Sequence, residues 1–153
     1  MSTHTLHFVL LFLPAITLMS GAPATGDGGL VSQQKSDVAP SHADRVFDEI
    51  EAAILAGDVK KLAPYFGRQM NLNLHAGMSG YFSGNQSYYI LQNYFASRKI
   101  LSFKFTSRKP DEPSPFATGG GTARTKGMNE ILQFYVSLVE VDSRWVISQF
   151  NVY

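Results

Sequence analysis

The hydrophobic residues change period partway along the chain, and that change restricts the fold more than any single motif. Between Ser41 and Ser97 they recur mainly every three to four residues, the spacing of one helix face, with an alternating stretch at Met70–Leu74 between the helical segments. From Leu101 to Val152 they alternate with polar residues, the spacing of strands that bury one face. Helices that come first and are followed by a run of strands cover one face of an antiparallel sheet, which is an α+β arrangement.

The helical half carries its own punctuation. Ser41-x-x-Asp44 resembles a capping box, with Asp where Glu or Gln is usual. Val46, Phe47, Ile50, Ala53 and Ile54 then share one face, while Asp44, Asp48, Glu49 and Glu51 lie elsewhere, near the end where the helix dipole favours acids. Gly57 suits the position just past a helix end. Asp58 can cap a short second helix that runs through Leu62 and is stopped by Pro64. Met70, Leu72 and Leu74 alternate with Asn71, Asn73 and His75 as a half-buried strand; Gly77 and Gly80 mark a turn, and Tyr81-Phe82 is briefly extended. Ser83-x-x-Gln86 is a second capping box, ahead of a helix with Tyr88, Leu91 and Phe95 in a stripe and Ile90 and Tyr94 beside it.

In the strand half, Leu101, Phe103 and Phe105 are expected on one face of the first strand. Asp111–Pro115 is a loop. Phe116–Thr125 is a weaker strand whose Gly119, Gly120 and Gly121 suit a bend, a bulge or a close approach of backbones. They do not make a phosphate loop, because no Gly-Lys-Ser/Thr follows ahead of a helix. Asn129–Glu140 places Leu132, Phe134, Val136 and Leu138 on one face. The last strand slips phase: Trp145 and Ile147 share one parity, Phe150 and Val152 the other. A β-bulge near Ser148 and Gln149 turns both pairs to the core and bends the strand. Trp145 is expected in the core, near Phe47 and Ile50.

Phe8 to Met19 is an unbroken apolar run followed by Ser20, Gly21, Ala22 and Ala24, the form of a secretory signal peptide over residues 1–24. The run is shorter than the roughly 20 residues that span a bilayer as helix. The expectation is an exported protein, periplasmic or extracellular, cleaved after Ala22 or Ala24, with no stable membrane insertion afterwards. Residues 25–40 read as a flexible linker and 41–153 as the domain. The chain has no cysteine, which excludes disulfides, thiolate ligands and a cysteine nucleophile. A formal charge of +1 gives no basic surface suited to nucleic acid. The acidic stretch Asp44–Asp58 and the basic stretch Arg98–Lys126 read as solvated faces.

Four segments together resemble a known family: Ile50-Glu51-Ala52-Ala53-Ile54-x-x-Gly57-Asp58, Leu62-x-x-Tyr65-Phe66, Tyr81-x-Ser83-x-x-Gln86 before the helix with Phe95, and Trp145-x-Ile147-x-Gln149-Phe150-x-Val152. From Val46 to Val152 the chain is similar to the nuclear-transport-factor-2-like superfamily, which includes ketosteroid isomerase and scytalone dehydratase, and within it to an uncharacterised exported bacterial family. The resemblance implies N-terminal helices packed on a strongly curved antiparallel sheet, a cone, in a bacterial envelope protein. It brings no chemistry with it.

Ketosteroid isomerase uses a carboxylate base with an oxyanion hole of Tyr and protonated Asp. No inward Asp here pairs with an inward Tyr. Glu130 and Glu140 share parity with Leu132–Leu138 near the ends of one strand, and His75 ends another, with Tyr81 as a candidate donor. No catalytic residue, metal or cofactor is therefore assigned; His42 and His75 alone make no ligand set. A pocket walled by Phe47, Tyr81, Phe95, Phe134 and Trp145, with His75 and Glu130 at a polar mouth, would suit a small apolar ligand. The reading is a non-catalytic envelope module that binds such a ligand or a partner protein. The alternative is an isomerase- or dehydratase-like enzyme, which needs a buried ionisable group beside a donor. Tyr135, Ser137 and Val139 on the outer sheet face suggest a homodimer.

Overall fold

Each helix in the computed structural model starts where a side chain can accept an orphan amide. The structure describes residues 39–75 and 77–153; the signal-peptide expectation lies outside them, as does the linker up to residue 38. Helix α1 (His42–Ala56) begins with Ser41 Oγ accepting from the Asp44 amide at 3.2 Å. It ends at Gly57, whose φ of 62° suits glycine, with the Gly57 and Asp58 amides closing on the carbonyls of Ile54 and Ala53. Asp58 Oδ1 caps α2 (Val59–Leu62) through the Lys60 amide at 3.0 Å, and a 3₁₀ turn over Ala63–Tyr65 leads into β1 (Phe66–Leu74). After β2 (Met78–Ser83), α3 (Gly84–Ala96) opens on a complete capping box: Ser83 Oγ accepts from the Gln86 amide and Gln86 Oε1 from the Ser83 amide. Strands β3 (Lys99–Lys109), β4 (Phe116–Thr125), β5 (Met128–Val141) and β6 (Arg144–Val152) follow.

The strands form one sheet in the order β2-β1-β6-β5-β4-β3. Neighbours pair antiparallel, as the hairpin spacing implied, except that β1 and β6 run parallel, which makes the sheet mixed. The bulge expected at the end of the chain is present. Ser137 opposes Gln149 while Leu138 opposes Ile147, so Ser148 is the extra residue, and its hydroxyl meets that of Ser137 at 2.7 Å. Ile147, Phe150 and Val152 are all buried as a result.

Two positions differ from the alternation read in the sequence. Ile100 opposes Ala123 and Ser102 opposes Thr122, so Leu101 is itself bulged; it is 39% exposed while Ile100 packs on the core. The glycines of β4 accompany this irregularity. A Cβ at Gly119 or Gly121 would collide with the backbone of Lys104–Phe105 or Ser102–Phe103, so β3 can lie this close only over glycine. Trp145 is half-buried, packed on the core from the rim rather than enclosed in it. Beyond the Ser148 bulge the strand reaches the first turns of α1, and Trp145 sits in a groove of about 220 Å³ with His42, Val46, Pro64 and Tyr65.

Between α1 and the sheet the aromatic residues make a continuous edge-to-face chain. Phe47 meets Phe105 at 5.9 Å, Phe105 meets Phe103 at 5.0 Å, Phe103 meets Phe134 at 4.8 Å, and Phe134 meets Phe150 at 6.0 Å. Each ring is buried. Such contacts add about 0.5–1.5 kcal/mol per pair beyond area burial, so they lock the filling of the cone as well as its shape.

The acidic and basic stretches of the sequence meet each other. Arg108 faces inward on β3, and its guanidinium holds Asp48 at 2.6 Å, Glu51 at 3.0 Å and Asp44 at 3.3 Å, all on α1. Glu51 also accepts from the Phe105 amide at 2.7 Å, covering an amide of the edge strand. Burial disfavours the charge on Arg108, but the hydrogen bonds to Asp48, Glu51 and Asp44 outweigh it, and its pKa is raised.

Candidate functional site

The C-terminal turn of α3 and the β1–β2 hairpin leave an open groove of about 260 Å³ at one end of the cone. Its apolar walls are Leu74 and Met78, which face each other across the hairpin, and Ile90 on α3. Its polar end is Tyr94, on the last turn of α3, and Arg98, just past the Ser97 cap. The Arg98 guanidinium lies 4.1 Å from the centre of the Tyr94 ring, a cation–π contact. Its Nη1 donates to Ser97 Oγ at 3.0 Å, and that hydroxyl donates to the Tyr94 carbonyl at 2.9 Å.

Glu130 completes the cluster from the sheet side. It stands opposite Ala123 on the core-facing parity of β5, 3.0 Å from Arg98 Nε, and accepts from Thr125 Oγ1. The Arg98 side chain is only 12% exposed, so this pair is largely withdrawn from water. The approach is close but not aligned: Arg98 Nε makes no hydrogen bond. The Tyr94 hydroxyl is also buried with no hydrogen-bond partner. Burial pushes its pKa up, the Arg98 charge opposes that and the Glu130 charge adds to it; the hydroxyl is raised and stays a protonated donor at neutral pH. The cluster is thus charge-balanced but short of acceptors.

The five residues expected to wall one pocket do not converge. Phe47 and Phe134 belong to the filled aromatic chain. Phe95 lines a separate groove of about 200 Å³ between α3 and the Gly57–Lys60 turn, and Trp145 lines the rim groove already described. Tyr81 faces outward, 74% exposed and paired with Asn71, because the pleat turns its neighbour Phe82 inward beside Met70. His75 is exposed in the turn after Leu74, next to the groove wall. Of the two carboxylates on the core parity of β5, Glu130 reaches the cluster and Glu140 is exposed opposite Trp145. Tyr94 and Arg98 were not singled out together from sequence; they sit on either side of the end of α3, and no local motif links them. On the outer face, Ser137 is buried against Ser148, Tyr135 stacks on Phe116 at 5.8 Å, and Val139 is 42% exposed.

Among the described residues no three His, Asp or Glu side chains converge as metal ligands, and no helix is long and apolar enough to cross a membrane.

Helices laid over a six-stranded mixed sheet in the order β2-β1-β6-β5-β4-β3 make the nuclear-transport-factor-2-like fold. Solved structures share that fold. A ketosteroid isomerase-like protein from Erwinia carotovora atroseptica matches with a TM-score of 0.60 at 9% identity, over 72% of this chain and 91% of that one. More particularly, the chain belongs to the family described as domain of unknown function DUF4783, whose sequence profile matches residues 47–152. Crystal structures of DUF4783 family proteins from Bacteroides ovatus (22% identity, TM-score 0.58, 68% of this chain and 90% of that one) and Bacteroides uniformis (19%, 0.60, 69% and 93%) are similar to it. No curated protein matches the chain.

Proposed function

We propose that this DUF4783 protein is an exported, non-catalytic module of the bacterial envelope that holds a small, largely apolar ligand with one uncharged polar end. The ligand lies in the groove between α3 and the β1–β2 hairpin. The observation that carries this reading is the buried Tyr94 hydroxyl, an unpaired donor beneath apolar walls. Arg98 and Glu130 balance each other, so the groove presents no net charge for an ionic ligand. Its volume of about 260 Å³ lies near the lower end of ligand pockets, which fits one small ring or a short branched chain. The aromatic filling directs a ligand to this end rather than to the interior.

The isomerase- or dehydratase-like alternative needs a carboxylate free to take a proton beside a donor. Glu130 is the nearest approach, adjacent to Tyr94, but Arg98 and Thr125 already engage it. Likeness to an isomerase-like protein at 9% identity carries the fold and not the chemistry.

The test is mass spectrometry of small molecules that co-purify with protein secreted from its host, run in parallel on Ile90→Trp, which fills the groove. The expected result is an apolar compound present with the unmodified protein and lost from the folded variant. Retention of that compound by Ile90→Trp would remove the groove as its site. Export is checked separately, by sequencing the N-terminus of extracytoplasmic protein; a start after Ala22 or Ala24 is expected, and a chain still beginning at Met1 would end that part of the proposal.

A further inference from the structure

The outer face of the sheet carries a second and chemically different surface. The register places Asn71 beside Gln149 and Asn73 beside Asn151, a block of side-chain amides across β1 and β6. Tyr81 flanks the block on β2, next to Asn71, and Tyr135 flanks it on β5, next to Asn151. Tyr153 continues past β6 opposite Gln133, with backbone hydrogen bonds of 2.9 and 3.1 Å, at the other end of the block from Tyr81. Tyr81 and Tyr153 are 74% and 57% exposed. No Asp, Glu, Lys or Arg stands among these positions. The outward cations stand away from the block: Lys99, Lys104 and Lys109 on edge strand β3, Arg124 at the end of β4, and Arg68 and Arg144 beside the valines at the other end.

The amides are under-used. The side chains of Asn71, Asn73 and Gln149 have no hydrogen-bond partner among the described residues, although each offers two donors and an acceptor. Asn151 is only 8% exposed; its Nδ2 donates to the Tyr153 hydroxyl at 3.2 Å, and its Oδ1 is buried without a partner. A buried acceptor without a donor is costly, and native proteins keep few of them.

We infer that this face binds a neutral, polyhydroxylated chain, a glycan, laid diagonally from Tyr81 across the amides to Tyr153. Vicinal hydroxyls match the donor–acceptor pairs of Asn and Gln, and the exposed tyrosine rings offer flat apolar surfaces to the C–H faces of sugar rings. Neighbouring strands lie about 4.8 Å apart, so successive amides meet successive hydroxyl-bearing positions of an extended chain. The lack of formal charge disfavours phosphorylated or uronic ligands. A second copy of this chain fits less well, because the centre of a homodimer interface is mostly apolar. The apolar residues of this face are Phe116, stacked on the flanking Tyr135, Ile131 at one end, and Val139, Val141 and Val146 at the other; none lies among the amides of β1 and β6.

The experiment is calorimetric titration of the full secreted protein with hexasaccharides of neutral β-1,4-glucan, β-1,4-mannan and α-1,4-glucan, alongside an oligogalacturonate. Saturable binding of at least one neutral hexasaccharide is expected, little changed by 0.5 M salt and weakened at least tenfold by Tyr81→Ala and by Asn71→Ala, with unchanged circular dichroism. Ile90→Trp, in the groove, should leave it intact, which separates this site from the one proposed above. The inference is overturned if no neutral hexasaccharide binds, if the oligogalacturonate binds as tightly, or if both face variants bind like the parent. It is overturned equally if light scattering shows a dimer that Asn71→Arg converts to monomer while no glycan binds.

Discussion

Two arginines drawn from the same basic stretch of sequence meet opposite fates. Arg108, under α1, satisfies Asp44, Asp48 and Glu51 at once, and one of those acids also closes an edge-strand amide. Arg98, at the end of α3, faces a single carboxylate with its Nε unaligned, beside a tyrosine hydroxyl that has no partner. The first arrangement is saturated and fastens a helix to a sheet. The second is left incomplete next to open volume. Buried polar groups are normally paired, so the difference separates a saturated cluster from one that keeps an unpaired donor.

The sharpest way to break the comparison is Arg108→Ala, which leaves three carboxylates facing one another without their cation. The pair network is partly exposed, so the cost is put below that of a fully buried pair, at about 2–3 kcal/mol by denaturant unfolding. A loss under about 1 kcal/mol would show that the clasp contributes little. Glu130→Gln comes next: it keeps an acceptor for Thr125 but removes the charge opposite Arg98, for an expected loss of about 1–2 kcal/mol. A loss larger than that of Arg108→Ala would reverse the assignment of the two clusters. Tyr94→Phe should be nearly neutral for stability, within about 1 kcal/mol, because no hydrogen bond is lost; destabilisation beyond that would reveal a partner for the hydroxyl.

A smaller effect sharpens the comparison through pH. Tyr65 donates to Glu49, another acid of α1, and burial followed by that hydrogen bond pushes its pKa up to about 12. The folded value lies above the ordinary value of 10.0, so the stabilisation is complete below about pH 10 and is lost as pH rises toward about 12. Unfolding midpoints measured across that window should fall less steeply in Tyr65→Phe. Parallel curves for the two proteins would remove Tyr65 from the account.

Local signals in the chain were legible where they were unambiguous. Ser41, Gly57, Asp58 and the Ser83/Gln86 pair each fix a terminus by a contact within a few residues. The Ser148 bulge was readable because two apolar pairs of opposite parity cannot both face a core along a regular strand. Leu101 was misleading because both it and its neighbour Ile100 are apolar, so either phase looks acceptable; only the approach of β3 to the β4 glycines decides between them. Adjacent Tyr81 and Phe82 posed the same ambiguity. The contacts of Arg108 with α1 join residues 57 to 64 apart in the chain, and nothing local encodes them. For that reason the acidic and basic stretches read as two solvated faces rather than as one joint. The candidate site was the least legible part: Glu130 was marked as a mouth residue, but Arg98 and Tyr94 reach it from the end of α3 by tertiary packing.

The parallel pairing of β1 with β6 bears on the order of assembly. β1 and β2 are joined to β3, β4 and β5 only through β6, the last strand to be made. A nascent chain that has not yet reached Arg144 can build a hairpin and a three-stranded meander but cannot join them into one sheet, and an isolated hairpin is marginal in water. The rate of folding is then governed by a late closure between segments far apart in sequence, which costs loop entropy before any contact is gained. Until that closure, Leu72 and Phe150, which pair in the finished sheet, remain separate sticky surfaces, and the unfinished molecule is at its most vulnerable to proteases and to association with its own copies.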